Sequence, residues 1–87
     1  PAEIDLGLLE RKLRDIPGVV DVHDLHVWTI TSGADAMSGH LVVSDVAAAR
    51  TVLAAAQESM RTNFALKHVT IQIEDAVLQN TEAKLPF

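Results

Sequence analysis

Four histidines, His23, His26, His40 and His68, and an acidic majority of twelve Asp and Glu over seven Lys and Arg are the chemically capable residues of this 87-residue chain. There are no cysteines, so a disulfide framework and a thiolate metal site are both excluded. Nor is there a catalytic motif. The four glycines stand apart at 7, 18, 33 and 39, which leaves no glycine-rich phosphate loop, and no serine sits in a nucleophile elbow. Ser38, His40 and Asp45 can be set down as a triad on paper, with nothing in their spacing to support it. What the chain does offer is imidazole nitrogen and carboxylate oxygen. These suit a zinc-like ion, which takes His nitrogen at about 2.0–2.1 Å and carboxylate oxygen at similar distances.

Whether such ligands meet depends on the elements that carry them. Leu6, Leu9, Leu13 and Ile16 are spaced three, four and three, which predicts an amphipathic helix over residues 3–15 with Glu10, Arg11, Lys12 and Arg14 off the apolar stripe. Pro17-Gly18 stops it and turns the chain. Val19 to Ile30 is rich in β-branched residues and reads as a long strand. Strict alternation puts Val20, Val22, His26, Trp28 and Ile30 on one face and Val19, His23, Leu25 and Val27 on the other. Both faces are apolar enough that one can meet the helices while the other meets a partner subunit or a tail. A bulge near Asp24 would disturb this alternation.

Thr31 to Asp35, with Gly33 at its centre, turns the chain into a second strand, Ala36 to Val43, completing a hairpin. Ser44 or Asp45 then caps a second helix with the stripe Val46, Ala49, Leu53, Ala56 and Met60, ending near Thr62-Asn63. Leu66 to Ile73 is the third strand, with Val69, Ile71 and Ile73 facing one way and His68, Thr70, Gln72 and Glu74 the other. The expected architecture is an α+β, two-layer domain in the order α-β-β-α-β. A single domain covers residues 1–87, folded over 1–75 and with a tail over 76–87.

Paired strands lie about 4.8 Å apart, so side chains at paired positions can share one ion. His40 and Glu74 fall near the ends of neighbouring elements, and His23 could complete a cluster with them. A lone strand histidine is more often an ordinary hydrogen-bonded residue. His26, aligned with Trp28 and Ile30, fits core or interface packing better than ligation, and His68 beside Lys67 reads as exposed.

The balance of charges, formally −5, disfavours nucleic acid and anionic lipid, both of which demand basic patches. It suits cations. No apolar run approaches the roughly 20 residues of a membrane helix, so direct membrane insertion is not expected. The chain begins at Pro1 without an initiator Met, which reads as a piece of something longer.

Taken together, Ile16-Pro17-Gly18-Val19, the block His23-Asp24-Leu25-His26-Val27-Trp28, His40 followed by aliphatics, and VTIQIE at 69–74 resemble the cation diffusion facilitator family. Within it, the chain looks most like the bacterial cobalt–zinc–cadmium efflux branch. The likeness spans residue 1 to about 75, and Pro1-Ala2-Glu3-Ile4-Asp5 is similar to the junction after that family's last membrane helix.

The resemblance implies a ferredoxin-like, metallochaperone-like domain on the cytoplasmic face of the inner membrane, joined to the membrane domain of a parent transporter. It implies a V-shaped homodimer, with Leu25, Val27 and Trp28 as interface candidates, that binds Zn²⁺ and is thereby biased toward the transporting state. Co²⁺, Cd²⁺ or Ni²⁺ would suit the same ligands. Carried over residue by residue, the ligands are His23, His40 and Glu74, with Asp24, His26, Gln72 and His68 as additional or supporting candidates. Some members have His where Gln72 stands and another on the second helix, near Leu53 here, so a single site is implied rather than a pair. The rival expectation is a purely structural homodimerisation module without its own metal site. An enzyme on the same fold is not expected, since the chain has neither a phosphate loop nor an arginine cluster.

Overall fold

The computed structural model describes residues 4–31 and 33–75. The expected tail at 76–87 lies outside the described residues. The first helix, α1 (Leu6–Arg14), starts at Asp5, whose carboxylate accepts the Leu8 amide at 3.0 Å, taking up one of the amides a helix start leaves free. Leu9 and Leu13 are fully buried and Ile16 nearly so, whereas Leu6, first in the stripe, is exposed. Gly18 then turns the chain at φ +98°, where a Cβ would also press on Val52 Cγ2 at 3.2 Å. Both facts favour glycine there.

Three strands follow: β1 (Val19–Thr31), β2 (Ala34–Val43) and β3 (His68–Glu74). They form one sheet in the order β1-β2-β3, with β1 antiparallel and β3 parallel to the central β2. The parallel pair requires a crossover, supplied by a short 3-10 turn at Val46–Ala48 and the helix α2 (Ala49–Phe64). Asp45 caps that turn, its carboxylate accepting the Ala47 amide at 2.9 Å. Ala65 closes α2 in the left-handed conformation, φ 54°. Helices α1 and α2 cover one face of the sheet, enclosing a core that includes Leu9, Leu13, Val22, Met37, Leu41, Val43, Val52, Ala56 and Met60.

Two expectations from alternation need correcting. On α2 the buried stripe is Val52, Ala56 and Met60; Leu53 is only partly buried and Val46 is exposed. Val52, Ala56 and Met60 recur every four residues along one side of α2 with Leu53 at its margin, while Val46 precedes the α-helix in the 3-10 turn. On β1 the pairing His23↔His40 is followed by His26↔Ser38, so one extra residue sits between them on β1. Asp24 lies at this bulge with φ 55°. The bulge inverts the alternation. Val22, Leu25 and Val27 all pack toward the core, while His23, His26 and Trp28 share the opposite face.

Candidate metal centre

The face away from the helices carries His23 on β1, its direct partner His40 on β2, and Gln72 opposite His40 on β3. Two residues beyond Gln72, Glu74 pairs with Val42 on that same face. Three distant stretches of sequence thus converge. His23 Nε2 lies 2.9 Å from Glu74 Oε1, and His40 Nδ1 lies 2.7 Å from Glu74 Oε2. The two imidazoles meet edge to face, centroids 4.9 Å apart. The Glu74 side chain is fully buried, whereas His23 and His40 are only partly so. Gln72 Nε2 donates to Glu74 Oε2 at 2.9 Å, which fixes the carboxylate plane.

The donor set fits a divalent cation. One ligand atom from each of His23, His40 and Glu74 lies within 4.8 Å of the other two. Bonds of about 2.0–2.1 Å in a tetrahedron place ligand atoms roughly 3.4 Å apart, so the two short contacts would open by about 0.5–0.7 Å and the wider separation, up to 4.8 Å, would close. His40 Nδ1 is buried and, though close to Glu74 Oε2, makes no hydrogen bond of acceptable direction. A buried polar atom left without a hydrogen bond calls for an explanation, and a cation held between Nδ1 and the carboxylate supplies one.

The remaining candidates separate clearly. Asp24 Oδ1 is 3.1 Å from His26 Nε2, and its Oδ2 is 3.6 Å from His40 Nε2. His26 is exposed, which corrects the core half of the expectation of core or interface packing and follows from the same bulge. His68 is exposed at the start of β3, level with Ala36, and the length of that strand, about 20 Å, separates it from Glu74. Leu25 and Val27 pack on the chain's own core, so of the three interface candidates Trp28 alone faces outward, 44% exposed.

Sequence reasoning passed over Arg14, which it placed on a solvated helix face. Its guanidinium bonds Glu10 Oε2 at 2.9 Å and Asp21 Oδ1 at 3.2 Å, and donates to the Val22 carbonyl at 3.1 Å. The hydrogen bond that Arg14 donates to Glu10 is the chief cause raising the Arg14 pKa above its ordinary value. Arg14 thereby ties α1 to β1 one residue before His23. The opposite charges flanking Pro17-Gly18 were the available signal.

Residues 1–76 match the family model described as "Cation efflux protein, cytoplasmic domain". The metal cation efflux system protein CzcD of Cupriavidus metallidurans is 36% identical over the whole chain, which spans 28% of that protein. Metal tolerance protein 1 of Oryza sativa is 42% identical over 85% of the chain and 18% of its own length. Among solved structures, the metal-bound C-terminal domain of the CzcD transporter superposes with a TM-score of 0.74 at 37% identity, covering 82% of this chain and 99% of that one. MamM V260R, at 14% identity and a TM-score of 0.70, shows the same fold. Topology, a ferredoxin-like two-layer architecture and the extent of these matches agree: the chain belongs to the family of cytoplasmic domains of cation efflux proteins.

Proposed function

We propose that this domain is the regulatory, homodimerising part of a divalent-cation efflux transporter, binding one Zn²⁺ per chain through His23 Nε2, His40 Nδ1 and the Glu74 carboxylate. The observation that carries this reading is the convergence of two imidazoles on one fully buried carboxylate, with His40 Nδ1 lacking a hydrogen bond. Three protein ligands leave a fourth position for water or a group from elsewhere in the assembly. Co²⁺, Cd²⁺ and Ni²⁺ would use the same donors. Solved relatives give support: the CzcD domain is described as metal-bound.

The proposed regulation is electrostatic and conformational. Two copies of an acidic chain repel each other, and each bound cation offsets part of that charge. Metal shifts the dimer toward a closed, transport-competent arrangement only as far as it binds that arrangement more tightly. A complete shift from 1:99 to 99:1 would need about 5.5 kcal/mol of differential affinity, so a partly exposed site would bias the equilibrium rather than switch it fully. Movement of metal across the membrane belongs to the parent transporter's membrane domain.

Calorimetric titration with Zn²⁺ at pH 7.5, on the wild type beside His40→Ala, tests the site. Saturation near one ion per chain, lost in the variant, is expected. No binding by the wild type would overturn the reading. One observation favours a purely structural dimerisation module instead: the contacts of both imidazoles with Glu74 can themselves satisfy its buried carboxylate. That alternative predicts wild-type dimers, unchanged by zinc, when His23 and His40 are both replaced by Ala.

A further inference from the structure

The face of the sheet away from the helices is not uniformly open. Along β3 its outward residues His68, Thr70 and Gln72 are exposed, and then Glu74, on the same face, is 1% exposed. Along β2 the outward Ser38 and His40 are partly buried, and then Val42 is 1% exposed. Val42 and Glu74 are direct partners, and Asp21 of β1 completes their row. No helix explains this burial, because α1 and α2 pack on the other face. The imidazoles of His23 and His40 reach Glu74 from the side of β1 and β2. On its far side β3 is the edge of the sheet, so among the described residues no strand flanks Glu74 there. Val42, for its part, has a carboxylate on either side of it in the row. An apolar side chain so fully buried needs atoms above it as well as beside it.

The chain itself supplies an occupant. β3 ends at Glu74, so residues 76–87 leave the sheet from this same row. Twelve residues reach about 40 Å when extended, several times the roughly 10 Å from β3 across to β1. Val77, Leu78, Leu85 and Phe87 are apolar, and Lys84, the segment's one basic residue, complements Asp21 and Asp75 in charge. We infer that residues 76–87 fold back across β3 and cover Val42 and Glu74. Sheet edges are commonly protected by such a covering segment. The cover divides the open face between two occupants. Its Glu74 end is taken by the chain's own segment, whereas Trp28 and Ile30, further along β1 and exposed, stay available to a partner. The buried carboxylate is then approached from the side of His23 and His40 alone. None of this depends on a bound ion.

Isotope-edited nuclear Overhauser spectra of the full, metal-free chain test the cover directly. Contacts from the Val42 methyl protons to side chains within residues 76–87 are expected. Their absence overturns the inference. So does their appearance only between labelled and unlabelled chains in a mixture, which would make a second copy the cover. An introduced thiol gives a second readout, since the chain has no cysteine of its own. With Val77→Ser, Leu78→Ser, Leu85→Ser and Phe87→Ser combined, Val42→Cys should react with a neutral thiol reagent at least about tenfold faster than in the natural background, because reactivity follows exposure. Ala56→Cys, at a position 0% exposed beneath the helices, should stay protected in both backgrounds and so report that the fold is intact. Equal reactivity of Val42→Cys in two folded backgrounds overturns the inference. Should the serine background unfold and expose Ala56→Cys, the methyl contacts of the wild type decide alone.

Discussion

At the scale of single residues, Glu74 governs what the site can do. A fully buried carboxylate is costly to ionise unless it is paired and hydrogen-bonded, and here His23, His40 and Gln72 surround it. In the metal-loaded state that we propose, a cation would replace the two imidazole contacts with stronger ones. Imidazole ligates only when neutral, and ordinarily titrates near about 6.5. Protons therefore compete with metal, and affinity must fall as pH falls. For a site with two imidazole ligands, zinc affinity should be lower at pH 5.5 than at pH 7.5. Equal affinities in titrations at the two pH values would rule out histidine ligation. The three candidate ligands were legible in the sequence because each sits at a strand position that pairing can bring together. Asp24 was legible as a bulge and as a supporting candidate, but its approach to both His26 and His40 was not, because that depends on one residue's left-handed backbone.

At the scale of elements, the helix and strand order was legible from apolar spacing, from Pro17-Gly18 and from the cap at Asp45. Phase was the part that failed. A single extra residue at Asp24 moved His23 onto the face of His26 and Trp28, and the buried stripe of α2 runs through Val52 where Leu53 was expected. Such irregularities change the side-chain direction of everything downstream while leaving composition untouched. The tie made by Arg14 belongs here too, since it joins the end of α1 to the strand that carries His23. Arg14→Ala removes two exposed ion pairs, each worth about 0–1 kcal/mol, and one hydrogen bond to a partly buried carbonyl, worth about 1.5–3 kcal/mol when the donor is charged. A total loss of roughly 2 kcal/mol is expected. Thermal unfolding should fall by about 8–16 °C in a domain of this size, and a change under about 2 °C would show that the tie between α1 and β1 does not stabilise the fold.

At the scale of the whole molecule, one face of the sheet holds both the candidate ligands and the largest exposed apolar side chains of β1. Trp28 shares that face, and Val20 and Ile30 on the same strand are 58% and 51% exposed. Helices cover the other face, so among the described residues nothing covers this strand's outer side. Burial of Trp28 in a pocket of a partner would give the aromatic anchor that dominates many interfaces. A second copy is the occupant that the reading above requires, and the shared face would let metal binding and subunit approach influence each other directly. Trp28→Glu adds a charge where burial is needed and increases repulsion between acidic copies. Sedimentation equilibrium should then show dimer affinity weakened by at least about tenfold, a change of about 1.4 kcal/mol. Small-angle scattering should show zinc-induced compaction in the wild type and none in this variant at equal concentration. Self-association that survives Trp28→Glu unchanged would move the interface off this strand, and with it the physical link between the ion at His23 and the approach of the two domains.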